Sequence, residues 1–86
     1  MSQSAHRIPT QEEIDDESRK IRRLAIAANL TLQVIAEGAV TLQAAQEMAA
    51  AIKNLALTLF PGKEFAYEIL YGNKLRRLIA GVYRLN

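Results

Sequence analysis

No cysteine occurs among the 86 residues. Disulfides, thiolate metal sites and cysteine nucleophiles are therefore excluded. Tryptophan is absent too, and aromatics make up only 6% of the chain, so a core must be built from aliphatic side chains and alanine. There is a single histidine, His6. A Ser–His pair or a histidine metal site needs that ring fixed in a pocket, and His6 has no apolar periodicity around it to hold it. The formal charge of +2 is too small to announce a nucleic-acid binder. The longest charge-free run, Leu24 to Ala36, is too short to cross a bilayer. The first 23 residues are polar and carry no apolar core of signal-peptide type. The expectation is a soluble, cytoplasmic protein that contacts no membrane.

What the chain has instead is apolar helix. Between Leu24 and Leu59 only Glu37, Glu47 and Lys53 are charged, and hydrophobic residues reach 50% overall. A helix apolar on more than one face must bury more than one face, and a short chain has little mass to cover them. The fold class read from this is all-α: a small helical bundle made of a long antiparallel hairpin plus one short and one medium C-terminal helix. Residues 1–9 read as a flexible arm and residues 10–86 as a single helical domain.

The boundaries come from local chemistry. Thr10-Gln11-Glu12-Glu13 is a capping box. Glu12, Glu13, Asp15, Asp16 and Glu17 then lie where the helix dipole favours negative charge. The first helix is expected to run to about Ala36 and to stop at Glu37-Gly38. Its main apolar face is Ile14, Ile21, Leu24, Ala25, Ala28, Leu32 and Ile35. Ile26, Leu30 and Val34 form a second stripe nearly opposite. Thr41 should cap a second helix over about Leu42 to Phe60. Phe60-Pro61-Gly62 ends it, because the residue before a proline is pushed out of the helical region. A short helix over about Lys63 to Tyr71 is expected to break at Gly72-Asn73. Asn73 would then cap a last helix from Lys74 to about Leu85, with Leu75, Leu78, Ile79, Val82 and Leu85 on one face.

Few constellations carry chemistry. The acid block Glu12 to Glu17 radiates around one helix end rather than converging as a metal or acid–base site must. Pro61-Gly62-Lys63-Glu64 lacks the second glycine, the Ser/Thr and the preceding strand of a phosphate loop. Lys74, Arg76, Arg77 and Arg84 are the candidate contacts for an anion or nucleic acid. The aromatics Phe60, Phe65, Tyr67, Tyr71 and Tyr83 are expected to cluster at the end of the hairpin, with the tyrosines also suited to an interface. No catalytic, cofactor-binding or metal-binding residue is assigned, and no cofactor is implied.

These features lead to the expectation of a non-enzymatic helical interaction module. It would self-associate, as a homodimer, and bind a protein partner as a regulator, adaptor or accessory subunit. Ile26, Leu30, Val34 and Leu57, which fall off the main apolar faces, are the candidate self-association residues. In a competing arrangement the last helix folds back over the second stripe within one chain. The alternative function is a dimeric nucleic-acid-binding regulator that uses the basic C-terminal helix.

Overall fold

The computed structural model describes residues 8–84. His6, Leu85 and most of the expected arm lie outside the described residues. Within them the chain is helical, with no strand. Helix α1 spans Gln11–Ala36 and α2 spans Leu42–Leu59. A third helical stretch follows: α3, Glu64–Tyr67, a π turn at Glu68–Gly72, and α4, Asn73–Tyr83.

The first two helices start and stop where their end groups are satisfied. The Glu13 amide donates to the Thr10 hydroxyl at 3.1 Å, and the Thr10 amide donates to the Glu13 carboxylate at 2.9 Å. The capping box is complete, which occupies two of the four amides a helix start leaves unpaired. Gly38 lies at φ +68° and donates its amide to the Ile35 carbonyl at 2.9 Å. A side chain is strained in that left-handed region, and glycine is not. Thr41 caps α2 through the Ala44 amide at 3.1 Å. Phe60, at φ −132° before Pro61, ends it.

The core is one cluster drawn from every helix. Leu24, Ala28 and Ile35 come from α1; Ala45, Ile52 and Ala56 from α2; Tyr67 from α3; Leu75 and Ile79 from α4. Thr31 is the buried polar residue among them, on the same face of α1. α4 packs on both α1 and α2. At its far end the Tyr83 hydroxyl donates to the Val40 carbonyl in the hairpin loop.

Three expectations need correction, and one competing arrangement falls away. First, Gly72-Asn73 does not break the chain. Asn73 is helical (φ −62°, ψ −41°) and donates its amide to the Glu68 carbonyl five residues back, so it caps nothing. The glycine serves space rather than a turn: a Cβ on Gly72 would run into the Glu68 carboxylate. Second, Ile14 and Ile21 share the angular position of the core face but remain 45% and 56% exposed. Third, the aromatics do not form one cluster. Phe65 is 79% exposed and Tyr83 lies at the loop end, leaving Phe60, Tyr67 and Tyr71 together at the open end. As for the competing arrangement, α4 does not cover the second stripe. Ile26 and Leu30 stay 54% and 58% exposed after all the helices have packed.

Glu68 links the C-terminal stretch to α2. Its carboxylate meets the Arg76 guanidinium at 2.7 Å and the Lys53 ammonium at 3.5 Å, and Lys53 also lies 3.8 Å from Glu64. The Arg76 hydrogen bond, helped by both cations, holds the Glu68 carboxyl below its ordinary pKa. Its contribution to stability is therefore present above the ordinary carboxylate range and fades as pH falls through the lowered value. Gly72→Ala would displace that carboxylate. It would also gain up to about 1 kcal/mol of helix propensity, against ion pairs that solvent screens. Thermal melting should place the variant within about 1 kcal/mol of wild type, or roughly 4–8 °C. A larger drop would mean that the carboxylate holds more than exposed ion pairs.

Candidate functional site

Among the apolar surfaces that the described residues leave open, two form a row or a groove. One is the outer side of α1. Ile26, Leu30 and Val34 recur every four residues, so they form a continuous row along the helix. Val34 is half-buried, while Ile26 and Leu30 stand open. The row begins in a shallow depression that Ile26, Ala27 and Leu30 share with Arg19, Arg22 and Arg23. A cationic rim beside an apolar floor suits an amphipathic partner with acidic flanks. Leu57, expected with this group, sits half-buried on α2.

The other surface is a groove of about 370 Å³ at the open end of the hairpin. Ile21 and Leu24 form one wall, Ala56 and Phe60 the floor of α2, and Ala66, Leu70 and Tyr71 the opposite wall. The break at Pro61-Gly62, with Gly62 at φ +78°, turns the chain so that α3 can face α1 here. The polar residues in the lining are Lys63, Tyr67 and Tyr71, the two tyrosine rings lying 6.2 Å apart. Burial pushes the Tyr67 phenol up, so it stays neutral. Such a lining takes up an apolar side chain.

The basic candidates are not all equivalent. Arg76 is engaged by Glu68 and by the Asn73 side chain. Lys74, Arg77 and Arg84 are exposed, and Arg84 closes α4 in the left-handed region at φ 58°. The residues that sequence reasoning passed over are Lys53, Glu64 and Glu68 and the groove wall of Ala66 and Leu70. A signal was present for the first group: Glu64 and Glu68 are i,i+4, and Arg76 follows eight residues on, on the same side of a continuous helix.

Among the described residues, no three of His, Cys, Asp and Glu gather as a metal site. Among the same residues, no helix is long and apolar enough to cross a membrane. No protein-family model, curated protein or solved structure matches the chain.

Proposed function

We propose that the chain is a small non-enzymatic helical interaction module that self-associates and binds a protein partner, as a regulator, adaptor or accessory subunit. One observation carries this reading: Ile26 and Leu30 remain more than half exposed on a helix whose opposite face already fills the core. Full burial of a Leu or Ile side chain is worth about 1.5–3 kcal/mol, and a helix laid along the row would recover much of that. The end groove supplies a second apolar seat. The nucleic-acid reading has less to stand on, because Arg76 is taken up by Glu68 and leaves Lys74, Arg77 and Arg84 to serve it.

The test is sedimentation equilibrium across micromolar concentrations, on the wild type and on Leu30→Glu with Val34→Glu. The wild type is expected to associate. The variant should keep its helix content, since neither residue belongs to the buried core, and should bind its partners along this row at least tenfold more weakly. A wild type that stays monomeric would remove self-association. A variant that unfolds would show that the row belongs to the core.

A further inference from the structure

Residues 12–23 run Glu-Glu-Ile-Asp-Asp-Glu-Ser-Arg-Lys-Ile-Arg-Arg. About the Glu17–Ser18 junction, Glu12 mirrors Arg23, Glu13 mirrors Arg22, Asp15 mirrors Lys20 and Asp16 mirrors Arg19. Ile14 mirrors Ile21. Every acid away from the centre answers a base, and the apolar residue answers its like. Laid antiparallel, such a segment sets its acidic end against the basic end of a second copy and its isoleucines against each other, which is what a two-fold contact requires.

The described residues leave most of this segment open. At 1.5 Å per residue α1 is about 39 Å long and α2 about 27 Å, so α1 runs roughly 12 Å past its partner. No residue of α1 before Leu24 is buried. Ile14 and Ile21 are seven apart, so they lie on one side of the helix, each about half exposed. The dipole accounts for acids at the start of a helix, and the Asp16 pairs with Arg19 (3.6 Å) and Lys20 (3.3 Å) account for some of the bases. Neither accounts for two isoleucines in water on an overhanging helix.

We infer that residues 12–23 form a contact between two copies of this chain, which lie antiparallel with a two-fold axis beside Glu17 and Ser18. The inference rests on the reading that the chain self-associates, and it names a surface that adjoins the Ile26–Leu30 row and shares Arg22 with its rim. Ile14 of each copy packs on Ile21 of the other. Ser18, small, stands near the closest approach. The helical repeat sets Arg22 beside Asp15 of the second copy, and Lys20 beside Glu17, each level to within about two residues' rise. Lys20 gives up an exposed pair to do so, which costs little. Ile21 also forms a wall of the end groove, so Ile14 of the second copy seats at the groove's mouth, where Leu70 is exposed.

Two charge variants test this by sedimentation equilibrium at low salt. One carries Asp15→Lys and Glu17→Lys; the other carries Lys20→Glu and Arg22→Glu. Each alone sets like charges opposite, and its self-association should weaken about tenfold or more. An equimolar mixture restores all four pairs, and heterodimers should form at close to wild-type affinity. Ile14→Asn with Ile21→Asn forms an uncharged arm: helix content should hold while self-association weakens about tenfold or more. If either charge variant associates as well as the wild type, or the mixture does not recover, the contact is overturned. Proteins that all associate equally would place the contact elsewhere and leave the proposed function standing. A wild-type chain that is monomeric would overturn both.

Discussion

Leu75→Ala should lower the free energy of unfolding by about 2–5 kcal/mol, the usual range for emptying a fully buried leucine site. Leu75 is 2% exposed, and with Ile79 it supplies all that α4 buries completely. The loss therefore falls on the element that seals the hairpin. A small domain holds roughly 5–15 kcal/mol in total, and short chains sit at the low end. The variant should be close to its unfolding limit, with a melting temperature roughly 10 °C or more below wild type. Leu70→Ala is the control, because Leu70 is exposed and should change stability by about 0.5 kcal/mol or less. Urea unfolding of both variants measures the difference. Equal, small losses would mean that α4 does not fill the groove between α1 and α2.

Ala45→Leu should destabilise for the opposite reason. Ala28 and Ala45 are fully covered, one on each helix of the hairpin. Helix axes ordinarily pack 8–10 Å apart according to the side chains between them, and methyl groups permit the near end of that range. A leucine in such a place forces off-rotamer side chains or pushes the helices apart, at about 1–3 kcal/mol. Ala51→Leu adds the same atoms to the exposed side of α2 and should change little. Thermal melting separates the two. An Ala45→Leu variant as stable as the wild type would show a slack seam with room for the larger side chain.

The hairpin was legible because its punctuation is local. Thr10, Thr41, Gly38 and Pro61 each act through neighbours within four residues, so spacing alone reveals them. The C-terminal half was less so. Gly72-Asn73 carries turn chemistry, yet the chain runs through it as a π turn, with the Glu68 carboxylate beside Gly72 held by Arg76 and by Lys53 from another helix. Periodicity also reports an angle and not an overlap. It placed Ile14 and Ile21 with Leu24, and it could not show that α2 ends before reaching them. Phe65 misled for a similar reason: it is expected in the cluster at the end of the hairpin, yet it is 79% exposed. The row at Ile26, Leu30 and Val34 was visible as a second stripe, but only the packing of α4 decides that Ile26 and Leu30 stay open while Val34 is half-buried. The end groove was not, because three chain segments far apart in sequence build it.

The hydrogen bond from Tyr83 to Val40 joins groups 43 residues apart, and this has a consequence for the chain as it is made. Both hairpin helices are complete once Leu59 has been added, but the side chains that seal them arrive up to 24 residues later (83 − 59). At 5–20 residues per second that interval is about 1–5 s. Helix formation and hairpin collapse take microseconds. The nascent pair of helices therefore waits unsealed and only partly folded, with the seats of Leu75 and Ile79 empty. During that wait the translation rate, rather than equilibrium stability, sets how long its apolar face is available to other chains.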